Sequence, residues 1–238
     1  MYQITIGADR GLKGWINILS VKLKSLVGDD GVVVSEVCGD RILLGVGKES
    51  ESVATEIRSV LSEFYLKDVK EEYLYSNICG YTDNDYLIRI YIKILNLFNI
   101  DDEKDILSKQ MCLYSNFSLD GFYRFRLKRL KEKWDDLLTL TYHNMDLIRD
   151  EHSLKLLIRN LITCITPIIE VATVERTKGS YSVILDEKRE NFFYCEEEVV
   201  YQLINNMPKK VIISKKNSNI LIAERIKEVF GESFVQFL

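Results

Sequence analysis

The stretch VVVSEVCGDRILLGV, residues 32–46, holds two β-rich runs separated by the turn composition Cys38-Gly39-Asp40. β-Branched residues suit a pleated surface, and a Gly-Asp pair between two such runs marks a hairpin. A hairpin joins antiparallel strands directly, whereas parallel strands need a helical crossover. The chain is therefore read as α+β, not as a doubly wound α/β fold.

Outward from the hairpin, residues 2–6 alternate in strand fashion and residues 15–26 read as a helix. With a helix over about residues 51–65, the N-terminal unit is β-α-β-β-α. The middle of the chain is helical. Ile88, Ile90, Ile92 and Ile94 alternate like a strand, but Arg89, Lys93 and Asn96 fall at i, i+4 and i+7. That narrow polar stripe predicts a mostly buried central helix over residues 86–98. Ser118 is placed as an N-cap with Asp120 in the first turn, opening a helix expected to run to about Arg149. A second helix begins near Ser153, buries Leu154, Leu157, Ile158, Leu161 and Ile165, and ends at Pro167. A short connection predicts antiparallel packing of these two.

Strands return at the C-terminal end. Residues 169–175 and 181–185 read as a hairpin around Lys178-Gly179, with residues 192–194 as a third strand. A helix from Glu196–Glu198 stops at Asn206-Met207-Pro208. A strand over 210–214, a helix ending at the C-cap Gly231 and a strand over 234–237 form a β-α-β unit. The expected organisation is a small α/β unit over residues 1–66, a helical region over 67–167 and a β-rich α/β unit over 168–238. Pairing of the two β-rich ends would make one sheet and one domain; separate sheets would make two.

Bulk composition narrows the class. Of 238 residues, 47% are hydrophobic, enough for a core and too many for a disordered chain. A net charge of -4, from 32 basic and 36 acidic residues, argues against generic attraction to DNA or anionic membrane, and leaves room for a local basic patch. The five cysteines are widely spread, without C-x-x-C, and only His143 and His152 would join a zinc site. Reduced, partly buried thiols in a reducing compartment are expected, with no metal and no cofactor. The N-terminus has no secretion-signal pattern, and the most apolar stretch, residues 86–98, is too short and polar to span a bilayer. A cytoplasmic location without membrane insertion is the expectation.

Three stretches are candidates for chemistry. The glycine-rich turn Gly7-Ala8-Asp9-Arg10-Gly11-Leu12-Lys13-Gly14 lies between a strand and a helix, where nucleotide folds cradle phosphates. Its spacing fits neither G-x-G-x-x-G nor the P-loop, and none of the thirteen tyrosines has a lysine four residues on. It reads as a structural turn. Lys215, Lys216 and Ser218, after a strand and before a helix, form a secondary anion-site candidate or a solvated loop capped by Ser218.

The third is Phe122-Tyr123-Arg124-Phe125-Arg126-Leu127-Lys128-Arg129-Leu130-Lys131-Glu132-Lys133-Trp134. Residues 124–133 hold six basic side chains and one acidic, a local charge of +5. On a helix, Phe122, Tyr123, Leu127, Leu130, Trp134, Leu137 and Leu138 share a broad apolar face flanked by the cations. Phe125 falls on the wet side among Lys128, Arg129 and Glu132. Either it packs under another segment while the arginines pair with carboxylates, or it is an exposed binding anchor. Arg124, Phe125, Arg126, Lys128 and Arg129 are the candidate partner- or anion-binding residues. No nucleophile elbow, H-E-x-x-H or Cys–His pattern marks a catalytic site.

The segment NFSLDGFYRFRLKRLKEKWDDLL, residues 116–138, resembles the signature helix of the YtxC family of sporulation-associated proteins from endospore-forming bacteria. The likeness continues through the next helix, Pro167 and the strands over 169–185, and resumes at Met207-Pro208-Lys209-Lys210-Val211-Ile212-Ile213 and Val229-Phe230-Gly231. It implies a cytoplasmic role connected with sporulation and carries no reaction, cofactor or catalytic residue. The leading expectation is a non-enzymatic protein that binds a protein partner through the basic, aromatic helix. Nucleic-acid binding through the same patch is one alternative. A nucleotide or phosphorylated-metabolite binder or enzyme is another.

Overall fold

The computed structural model describes residues 2–50, 52–177, 179–186, 189–214 and 220–237. Its fold is α+β. The hairpin forms as read: β2 (Gly31–Cys38) and β3 (Arg41–Lys48) run antiparallel, with Cys38 opposite Arg41. Gly39 sits at φ 61°, a left-handed conformation that glycine adopts without a Cβ clash. β1 (Tyr2–Asp9) lies antiparallel to β3, and the three-residue β4 (Asn116–Ser118) adds parallel to β1, giving the order β2-β3-β1-β4. Alternation along β1 and β3 puts Ile4, Ile6, Ala8, Ile42, Leu44 and Val46 in the core. Against this sheet packs α1 (Lys13–Val27), which buries Trp15, Ile16, Leu19, Leu23 and Val27 at helical spacing.

Next comes α2 (Val53–Glu63), whose Val53, Ile57 and Leu61 recur every fourth residue and are fully buried. It runs into a π-helical turn, Phe64–Val69, and then α3 (Lys70–Ile78). The wider turn shifts the helix register. Phe64, Tyr65, Leu66 and Val69 are all buried there, and so is Lys70.

The central helix α4 (Asp85–Leu97) forms as read, with Arg89 and Lys93 half-buried along its polar stripe, but Asn96, the stripe's third expected member, is buried. Leu87, Ile88, Ile90, Tyr91, Ile92, Ile94 and Leu95 are buried, and the Asn84 side chain caps its start by accepting from the Leu87 N–H. α5 (Ile100–Gln110) follows.

The long helix expected from Ser118 to Arg149 is instead three: α6 (Leu119–Phe125), α7 (Lys128–His143) and α8 (Met145–Arg149). Ser118 is the N-cap as read, accepting from the Gly121 N–H at 3.2 Å. In one unbroken helix the apolar residues from Phe122 to Leu138 would spread over an arc of about 160°. Interrupting the helix at Arg126 and Leu127 lets Phe122, Leu127, Leu130, Trp134, Leu137 and Leu138 all reach the interior. α9 (Glu151–Thr163) buries Leu154 and Ile158 as expected, and Ile162 where Leu157, Leu161 and Ile165 had been expected. Its neighbours are α4, α8 and α11 (Ile220–Phe230), in place of a single long antiparallel helix.

The second sheet begins with the hairpin of β5 (Ile169–Thr177) and β6 (Ser180–Leu185), followed by β7 (Arg189–Phe193) antiparallel to β6. α10 (Glu196–Asn206) ends at Met207, which takes the left-handed conformation. β8 (Pro208–Ile213) then pairs parallel to β5, and β9 (Val235–Phe237) follows α11 to pair parallel to β8. The order is β7-β6-β5-β8-β9. Gly231, at φ 86°, closes α11 by donating its N–H to the Lys227 carbonyl, as the C-cap reading required. The two β-rich ends form two sheets, not one.

Two compact units result. One comprises Met1–Glu72 with Asn99–Leu137, the other Tyr73–Phe98 with Leu138–Leu238. Among the described residues, no helix is long and apolar enough to cross a membrane.

Candidate functional site

β4 is only three residues long, yet it fixes the ground on which the basic segment stands. It pairs Asn116, Phe117 and Ser118 with Thr5, Ile6 and Gly7 of β1, and the Thr5 N–H also donates to the Ser115 carbonyl at 2.8 Å. From there α6 is held at its first turn. The Arg41 guanidinium donates to Asp120 Oδ1 at 2.8 Å and to Ser118 Oγ at 3.2 Å. Burial pushes the Asp120 carboxyl up, but the hydrogen bonds from Arg41 and Ser118 outweigh it and hold the group below its ordinary range. Gly121 is required at this place, because a Cβ there would stand 2.8 Å from Ser118 Oγ.

Beneath lies an aromatic floor. Phe117 and Phe122 have ring centroids 5.2 Å apart, and Tyr65 packs on Phe122 at 5.3 Å. The Tyr65 hydroxyl donates to the Leu119 carbonyl at 2.9 Å, and burial drives that phenol well above its ordinary range. Phe117 and Phe122 are each only 7% exposed, so the floor is closed.

Above this floor two segments face each other. The end of α5 and the chain after it supply Lys109, Gln110, Cys112 and Tyr114, while the α6–α7 junction supplies Phe125, Arg126, Lys128 and Arg129. With Asn116, Ser118, Gly121 and the floor they bound an open groove of about 830 Å³. Among the described residues, no carboxylate lines it.

Phe125 is 80% exposed, so of its two readings the buried one is excluded. Being the last residue of α6, it projects at the helix break, where the chain turns to bury Leu127. Arg124, Arg126, Lys128 and Arg129 are exposed and form no ion pair with any described carboxylate. The two remaining cations of the segment are engaged. Lys131 lies 3.7 Å over the Tyr123 ring, where desolvation lowers its pKa, and Lys133 reaches Asp102 at 3.5 Å.

Four of the five candidate residues, Phe125, Arg126, Lys128 and Arg129, therefore line one groove; Arg124 is exposed but not part of its lining. Lys109, Gln110 and Tyr114 are additional members that sequence reading did not find, since they lie on and after α5, outside the basic segment. Nothing in the known families, the curated proteins or the solved structures matches the chain.

Elsewhere the candidates are weaker. In the glycine-rich turn, Asp9 Oδ1 accepts the Gly11 N–H at 2.8 Å, and the Arg10 N–H is held by the Asp40 carbonyl. A carboxylate thus occupies the place where a phosphate would sit, which suits a structural turn. Lys215, Lys216 and Ser218 lie outside the described residues. Among those described, no group of three or more His, Cys, Asp and Glu is placed to hold a metal ion. Cys38, Cys79, Cys112 and Cys164 are exposed and Cys195 half-buried. The expectation of partly buried thiols is thus corrected for four of the five, which lie at strand and helix ends.

Proposed function

We propose that this chain is a non-enzymatic, sporulation-associated cytoplasmic protein that binds an anionic macromolecule in the groove between α5 and the α6–α7 junction. The observation that carries the reading is electrostatic. In a chain with an excess of acidic residues, Lys109, Arg126, Lys128 and Arg129 converge on a surface lined by no described carboxylate. A concave surface of one sign concentrates field lines and draws the opposite charge. Unpaired guanidinium groups are forks for carboxylate or phosphate oxygens, with no internal partner to displace first. The link to sporulation is supported by the likeness of residues 116–138 to the YtxC signature helix.

The test is charge reversal in the intact chain. Arg126→Glu combined with Arg129→Glu should weaken binding of polyanions, poly-glutamate and mixed-sequence oligonucleotides alike, by about tenfold or more. Thermal unfolding should stay unchanged, because neither side chain pairs with any described residue. Unaltered affinity, or no polyanion binding by the parent protein, would remove the proposal. Deleting the gene in an endospore former and counting heat-resistant spores checks the biological setting; an undiminished count would sever it from sporulation.

A further inference from the structure

We infer that the anionic ligand of this groove is a single-stranded nucleic acid, with bases stacked on Tyr114 and Phe125 and phosphates held by Lys109, Arg126, Lys128 and Arg129. The inference rests on the groove being a polyanion site, and two further observations narrow the class.

The first is the state of the rings. Tyr114 is 73% exposed and Phe125 80%, and both line the same groove. Neither makes a ring–ring or cation–ring contact with any described residue. Their neighbours Phe117 and Phe122 are stacked on each other below. Two open aromatic faces among cations are what a flexible strand of unpaired bases needs, since every base offers a π-face. A duplex keeps its base faces stacked internally, so it would satisfy the cations and leave the rings idle.

The second is the closed floor. Anchors at protein–protein contacts work in pairs, a projecting side chain on one partner filling a desolvated pocket on the other. With Phe117 and Phe122 nearly covered, the groove offers an acidic peptide charge but no pocket for an apolar anchor.

The experiment is fluorescence anisotropy on the full chain with three anionic probes. They are a mixed-sequence single strand of about a dozen nucleotides, the same sequence as a duplex, and a poly-glutamate peptide. The single strand should bind tightest. Its log-affinity should fall with log salt by about 0.7 per phosphate contact. Tyr114→Ala and Phe125→Ala should each weaken it by roughly 5- to 150-fold with the salt slope unchanged, and Phe125→Trp should restore it. Both rings are too exposed for their loss to unfold the protein, which thermal unfolding verifies. Poly-glutamate binding with no single-strand binding would overturn the nucleic-acid inference while leaving the groove reading intact. So would equal duplex binding with silent ring variants. Failure of all three probes would overturn both.

Discussion

Lys70 and Glu103 meet in the interior of the first unit, the ammonium nitrogen 2.9 Å from both carboxylate oxygens and neither side chain exposed to solvent. Lys70 opens α3 directly after the π-helical turn, whose Phe64, Tyr65, Leu66 and Val69 are buried beside it in sequence. Burial works against both charges, drawing the Lys70 amine below its ordinary value and pushing the Glu103 carboxyl above its own. Mutual pairing is what keeps the two tolerable.

Removing one partner therefore leaves the other buried and uncompensated. Glu103→Ala should cost about 3–5 kcal/mol in urea unfolding, and Lys70→Met together with Glu103→Leu should restore most of that loss. A single variant that unfolds like the parent would show that the pair is not desolvated.

Two neighbours at the helix break should behave oppositely. Phe125→Ala removes a ring already in water and should change stability by no more than about 0.5 kcal/mol. Leu127→Ala empties a fully buried site and should cost about 2–5 kcal/mol. Equal losses in chemical denaturation would mean that the chain does not turn between these residues.

The anchoring of α6 should be acid-sensitive. Asp120 titrates below its ordinary value in the folded chain, so protons bind the unfolded form more readily. Its contribution to stability is complete above the unfolded pKa of about 3.9 and is lost as pH falls through the lower folded value. Asp120→Asn should flatten the fall of the unfolding midpoint below about pH 4; an identical acid limb in both proteins would contradict the Arg41–Asp120 pairing.

The cap on the same helix offers a local check. Ser118→Ala removes the acceptor for the Gly121 N–H and should cost about 1 kcal/mol. Gly121→Ala should be at least as costly, because its Cβ would collide with the Ser118 hydroxyl. Differential scanning calorimetry of both variants measures this directly.

Residues close in sequence settled their own structure. The Gly39 hairpin, the Ser118 cap, the Arg89 and Lys93 positions of α4 and the Gly231 stop rest on interactions within a few positions, which periodicity and turn chemistry report. The helix break, the buried Lys70 and the groove were decided elsewhere. β4 finds β1 across more than a hundred residues and makes only three register pairs, too short a run to leave a pattern. Lys109 and Tyr114 line the same groove as Arg126 and Phe125, a juxtaposition no local pattern announces. The break follows because burying Leu127 together with Phe122 gains more than one continuous helix would. Composition announced that cations and a stray phenyl ring share one segment; only long-range packing chose which of them are spent internally and which face the solvent.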